Sequence, residues 1–266
     1  MRKVSCVKAR TASSGWGFTL LELLAAVAVI AILVALAIPA LTRVQDAGKG
    51  AACVSNLHQI GVALFAYAGD NGGKIPAGPK APPFTNPASF YTSTGAPTSL
   101  LSLQSGAPAA LGLLLETYLA ATPRVLFCPG TDQPVDASAE LAKVGRQQAQ
   151  GSYYYRHGGN TALFDTPSTV IPDIRLFNMG NNRNGQPVRA LVLDTEFLCP
   201  PDLAPFNVKP RTHHKLKFVN ILFSDSHVGS RSNADGRYTV DLSDYSKLRG
   251  AFDNILTVFE RADADP

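Results

Sequence analysis

FTLLELLAAVAVIAILVALAIPAL, residues 18–41, carries a single charge, Glu22, in twenty-four positions. At about 1.5 Å per residue the stretch makes roughly 36 Å of helix, enough to cross a hydrocarbon core of about 30 Å with some tilt. Arg2, Lys3, Lys8 and Arg10 precede it with no acidic residue among them. The positive-inside rule then predicts a cytoplasmic N-terminus, with everything after Leu41 outside. An ordinary secretory signal fits the basic start and would cut after Ala35-Leu36-Ala37, but the apolar run is long for a signal peptide and carries a carboxylate. A plain anchor fits the length and leaves Glu22 unexplained, since an ionised group at mid-membrane costs about 2.5 to 3.5 kcal/mol, less near an end.

Downstream the helical pattern continues as LTRVQDAGKGAACVSNLHQIGVALFAYAGDNGG, residues 41–73. Cys53, Leu57, Ile60, Leu64 and Tyr67 recur at helical spacing and make one apolar stripe, so the outward half of the helix needs a domain to pack against. Asp70-Asn71-Gly72-Gly73 is a stop signal. Helical throughout, residues 18–70 would form a rod about 80 Å long, kinked or loosened at Pro39, where one backbone hydrogen bond is missing.

With 45% apolar and 17% charged residues in 266, the chain can bury a core. The net charge of +4 is matched by the four basic residues before position 17, so the rest is near neutral. No clustered basic surface is left to recommend a nucleic-acid partner. The cysteines are Cys6, Cys53, Cys128 and Cys199. None has a second cysteine two to four residues away, so their spacing matches no zinc pattern, and the plain reading is of buried small side chains.

Residues 71–110 form a proline-rich segment, with Pro76, Pro79, Pro82, Pro83, Pro87 and Pro97, and read as a long surface loop. Residues 111–266 read as a globular α+β domain. A short helix is expected over Pro108 to Ala120 and an extended segment over Val125 to Pro129. Strands are expected at Tyr153 to Tyr155, Val188 to Leu193, Phe218 to Phe223 and Val228 to Ser230. A terminal helix is expected from Ser243, its cap, to Ala262, with Leu248, Phe252, Ile255 and Phe259 on one face. The expected fold is α+β: a long N-terminal hydrophobic helix packed on an antiparallel sheet, with short extra helices.

Gly17-Phe18-Thr19-Leu20-Leu21-Glu22 resembles the processing site of type IV prepilins and of the pseudopilins of type II secretion. The resemblance implies a leader, residues 1–17, removed between Gly17 and Phe18 by a membrane-embedded prepilin peptidase that also methylates Phe18. It implies a single pass through the inner membrane, with lipid around residues 18–41, the outer domain periplasmic or extracellular, and copies of the chain or other pilin-like subunits as partners. Glu22 would pair with the α-ammonium group of Phe18 on a neighbouring subunit, each charge offsetting the other's desolvation. Pro39 stands where family members commonly have a helix-breaking proline. Trp16 departs from the family, which usually has a basic or small polar residue there. CVSNLHQIGVALFAYAGDNGGKIP, Phe127-Cys128-Pro129-Gly130 and HHKLKFVNILFSDSHV resemble a pilin-like subfamily with a late His, Asp-Gly and His-Val; Asp225-Ser226 replaces Asp-Gly here. Losing the leader removes Cys6, and the resemblance implies Cys53 with Cys128 as the candidate disulfide, with Cys199 left over.

Asp194, Glu196, His213, His214, Asp225 and His227 are the one cluster of ligand-type residues along the chain. His213, His214, Asp225 and His227 would suit a divalent metal if strand ends converge. The competing reading is of polar residues that cap hairpin turns, because no fixed spacing places the four on one helix face. No cofactor motif, nucleophile elbow or phosphate loop is present. The expectation is therefore a non-enzymatic filament subunit. Its rival is a membrane-tethered metal-dependent hydrolase, or a binding module, using that His and Asp set.

Overall fold

The computed structural model describes residues 19–79, 97–130, 132–157, 159–161, 174–194, 196–206, 210–242 and 250–265. Contacts divide the chain into Met1–Gln45 and Asp46–Pro266.

Within the first unit the described residues are the opening of α1, which runs Leu20–Asp70 with Pro39 inside it. Pro39 does not end the helix, although it cannot donate to the carbonyl one turn back. The large apolar side chains of this part are exposed, from Leu20 at 81% to Val44 at 67%. A helix this long and apolar can span a membrane.

The second unit is an α+β domain on a five-stranded antiparallel sheet. Its strands are β2 (Thr98–Ser102), β3 (Ala149–Tyr155), β5 (Ala190–Leu193), β7 (Phe218–Phe223) and β8 (Val228–Ser232), in spatial order β2-β3-β5-β7-β8. Tyr154 faces Leu193, Leu193 faces Ile221, and Ile221 faces Gly229 across the ladders. Two short parallel pairs flank it: β1 (Gly78–Pro79) with β4 (Gly159–Thr161), and β6 (Glu196–Leu198) with β9 (Thr239–Asp241). A five-residue helix, α2 (Ala137–Leu141), is capped by Asp136, whose carboxylate accepts from the Ala139 N–H. The C-terminal helix is α3 (Ala251–Ala264).

Strand alternation sorts the sheet into two faces. Tyr153, Tyr155 and Leu222 belong to one core with Cys53, Leu57, Ile60 and Leu64 of α1. Tyr154, Val219, Ile221 and Phe223 belong to the other, with Ile255, Val258 and Phe259 of α3. The period of two therefore sends Asn220, between Val219 and Ile221, toward the α1 face.

Three expected elements differ. The segment 71–110 is not all loop, because Thr98–Ser102 forms the edge strand β2 with every residue buried. The short helix reduces to a 3-10 turn, Ala110–Leu114. It is held so close to β2 that a Cβ at Gly112 would overlap the Leu101 carbonyl. Val125 to Pro129 is not extended throughout, for Pro123–Leu126 is a second 3-10 turn, entered by a proline that fits a first helical turn. The expectations for Ser243, Leu248 and the Phe252 side chain lie outside the described residues.

Candidate functional site

Gly17 and Phe18 lie outside the described residues, and α1 begins just after them. Thr19 and Glu22 form a capping box. The Thr19 N–H and hydroxyl donate to Glu22 Oε2 at 2.9 and 2.8 Å, and the Glu22 N–H donates to Thr19 Oγ1 at 3.2 Å. Glu22 thus satisfies backbone donors at the helix head, a second task beside the one the resemblance implies. The Thr-x-x-Glu signature is legible in the sequence, and sequence reading passed over it.

A polar cluster sits in the core between α1 and the sheet. Cys53 enters from α1 because the apolar stripe faces β3. Its Sγ lies 3.3 Å from the Tyr153 hydroxyl and 3.3 Å from Asp194 Oδ2. Cys128 enters from the turn after Phe127, which Asn56 of α1 holds by donating to the Phe127 carbonyl at 3.0 Å. His214 Nε2 lies 3.6 Å from Cys128 Sγ and 3.2 Å from Asp194 Oδ2. Cys53, Cys128 and His214 each offer a donor atom within 4.8 Å of the other two.

The surrounding residues fix these groups. Asp194 follows β5, and the Asn220 backbone N–H donates to its Oδ1 while Asn220 Nδ2 donates to its Oδ2 at 2.9 Å. Asn220 Oδ1 in turn accepts from the Ser230 hydroxyl at 2.6 Å. The His214 ring stacks on Phe218, with centroids 4.4 Å apart and planes at 12°. His214, Lys215 and Leu216 all have positive φ, 51°, 57° and 59°. Three successive non-glycine residues in the left-handed region carry a strain of about 1 to 2 kcal/mol each.

Burial and charge set the protonation of the cluster. Burial pushes the Cys53 thiol far above its ordinary range, and its neighbours Cys128 and Asp194 add to the rise. Burial raises the Asp194 carboxyl as well, with His214 opposing. Burial works against a charged His214, but its bonds to Asp194 and Cys53 prevail and raise it to about 10. Next to the cluster, burial lowers His213 to about 3, helped by the charge of His214. Burial raises Glu196 to about 9, although the His213 N–H that it accepts opposes the rise.

Cys53 and Cys128 are free thiols rather than the expected disulfide: their sulfurs approach one another but are not joined at the bonding distance of about 2.05 Å. The set His213, His214, Asp225 and His227 is divided. His213 is buried against Gln133, 3.1 Å from its Nε2, and His214 belongs to the core cluster. Asp225 and His227 pair with each other at 2.6 Å in the exposed turn between β7 and β8. His214 stacks on Phe218 at one end of β7 and His227 on Phe223 at the other. Five residue steps separate those phenylalanines, roughly 17 Å of strand, which is too far for one ion.

Sequence reading missed Asn220 and the convergence of Cys53, Cys128 and His214. The available signal was Asn220 itself, a polar residue in the middle of FVNILF. Among protein-family models, curated proteins and solved structures, none matches the chain.

Proposed function

We propose that the chain is a membrane-anchored structural subunit of a pilus-like or secretion pseudopilus filament. The observation that carries this reading is the exposed apolar opening of α1, with Glu22 at its head four positions after Phe18. An apolar surface of that length is stable in lipid or against copies of itself, and not in water. In this reading a prepilin peptidase cuts after Gly17 and methylates Phe18, and residues 18–41 stay on the product. During assembly the Glu22 carboxylate meets the α-ammonium group of Phe18 on the next subunit. The α+β domain faces outward.

Mass spectrometry of the mature N-terminus tests the processing, with N-methylated Phe18 as the expected result. An N-terminus at Ile38 would mean ordinary signal cleavage and a released domain, which overturns the proposal. Because Glu22 also caps α1, the assembly test needs Glu22→Gln beside Glu22→Ala. Glutamine keeps the capping bonds and loses the charge. Both variants are expected to be processed and left out of filaments. Normal incorporation of Glu22→Gln would reduce the residue to a cap and remove its assembly role.

A further inference from the structure

We propose that Cys53, Cys128, His214 and Asp194 bind one zinc ion, a structural centre that fastens α1 to the sheet. Tetrahedral zinc holds thiolate sulfur at about 2.3 Å and nitrogen or oxygen near 2.0 to 2.2 Å, which puts neighbouring donors about 3.4 to 3.8 Å apart. Cys53, Cys128 and His214 have donor atoms within 4.8 Å of one another, with Cys128 Sγ to His214 Nε2 at 3.6 Å on that edge. Asp194 lies outside this threefold group but touches two of its members slightly inside the edge, Cys53 Sγ to Asp194 Oδ2 at 3.3 Å and His214 Nε2 to Asp194 Oδ2 at 3.2 Å, and so is the nearest fourth donor. Two sulfurs, an imidazole and a carboxylate form a donor set suited to zinc rather than to magnesium or calcium, which prefer oxygen alone.

The ligands come from α1, the turn after Phe127, the residue after β5 and the turn before β7, so no short cysteine spacing announces the site. Their neighbours are those a thiolate centre needs. The Gly130 backbone N–H donates to Cys128 Sγ at 3.4 Å, and the Tyr153 hydroxyl is 3.3 Å from Cys53 Sγ. Asn220 holds both oxygens of Asp194, in the manner of the outer groups that orient metal ligands. An Asp194–His214 ion pair alone would account for neither sulfur, nor for the strained turn that aims the imidazole at them. A small cavity of about 50 Å³, lined by Asp46, Asp132 and Phe218, reaches His214 alone of the four proposed ligands. Four protein donors leave no open position, which makes the centre structural and not catalytic. The site stands independently of the filament reading, because it lies wholly within the second unit.

Elemental analysis of the full-length protein, purified in detergent without chelator, tests the proposal, together with the absorption of the cobalt(II)-substituted protein. The expected result is one zinc per chain, and tetrahedral cobalt bands with thiolate charge transfer. Cys128→Ser and His214→Gln should abolish both, and Asn220→Ala should weaken binding roughly 10- to 100-fold. Cys199→Ser and His227→Gln should leave both intact. The wild-type spectrum needs no variant to fold. Substoichiometric zinc with no cobalt–thiolate band, a Cys53–Cys128 disulfide in the unreduced protein, or unchanged zinc in folded Cys128→Ser would each overturn the proposal.

Discussion

Arg156 and Asp263, 107 positions apart, form an ion pair at 2.8 Å in which neither side chain is exposed to solvent. The carboxylate also accepts from Asn182 Nδ2 at 3.1 Å and from the Arg189 and Ala190 backbone N–H groups at 2.8 and 2.9 Å. One aspartate of α3 thereby satisfies donors at the start of β5, beyond the end of β3, and in the turn at Asn182. The Arg156 guanidinium lies 5.0 Å from the Phe259 ring centroid, and burial lowers its pKa against the opposing pull of Asp263.

Removing that carboxylate strands a buried cation, so Asp263→Ala should destabilise the protein by about 3 to 5 kcal/mol. Arg237 offers the control. It pairs with Asp235 at 2.7 Å with both side chains more than half exposed, so Arg237→Ala should change stability far less. Chemical denaturation of the detergent-solubilised chain, followed by circular dichroism, measures both. Equal losses would show that the buried pair contributes no more than a surface one.

The two faces of α1 beyond Asp46 should respond differently. Leu57 is 0% exposed against the sheet, and Val62 is 68% exposed. Leu57→Ala should cost about 2 to 5 kcal/mol, while Val62→Ala should stay within about 0.5 kcal/mol. Thermal melts in one detergent compare them. A large loss for Val62→Ala would mean that a further surface covers this face.

Periodicity made α1, the sheet and α3 legible. Cys53, Leu57, Ile60 and Leu64 fall on one helical stripe, and Val219, Ile221 and Phe223 alternate, so their buried faces follow from spacing. The edge strand β2 was hidden, because Thr98–Ser102 sits among prolines and glycines and gains its strand identity from pairing with β3. The core cluster was hidden for a different reason. Cys53, Cys128, Asp194 and His214 are separated by 75, 66 and 20 positions in the chain and meet only through tertiary packing. Adjacent His213 and His214 misled in the opposite way: neighbours in sequence, they serve different contacts, His213 at Gln133 and His214 at Asp194.

The Tyr155 hydroxyl is buried and donates to the Pro76 carbonyl at 3.0 Å, joining β3 to the segment that follows α1. Tyr155→Phe leaves that acceptor without its donor and should cost about 1 to 3 kcal/mol. Hydrogen exchange should show the loss concentrated near Ile75, whose own N–H donates to the Ile174 carbonyl. A uniform change across the domain would instead mark Tyr155 as a packing residue whose hydroxyl adds nothing local.

Two glycines should give opposite signs on the same substitution. Gly112 has the Leu101 carbonyl where a Cβ would stand, and backbone atoms cannot turn aside as a side chain can. Gly112→Ala must push the Ala110–Leu114 turn off β2, with a loss of at least about 1 to 3 kcal/mol by the cost of overpacking. Gly48 lies in the exposed surface of α1, and a methyl group on its Cα would have no atom within 4 Å, so alanine there meets no obstacle and restricts only the unfolded chain. Gly48→Ala should therefore stabilise by about 0.5 to 1 kcal/mol, a rise in Tm of roughly 1 to 4 °C. Melting both variants beside the wild type checks the pair. A neutral Gly112→Ala would show that β2 and the turn can separate freely, and a destabilising Gly48→Ala would mean that α1 is not helical at that point in the protein as it stands in solution.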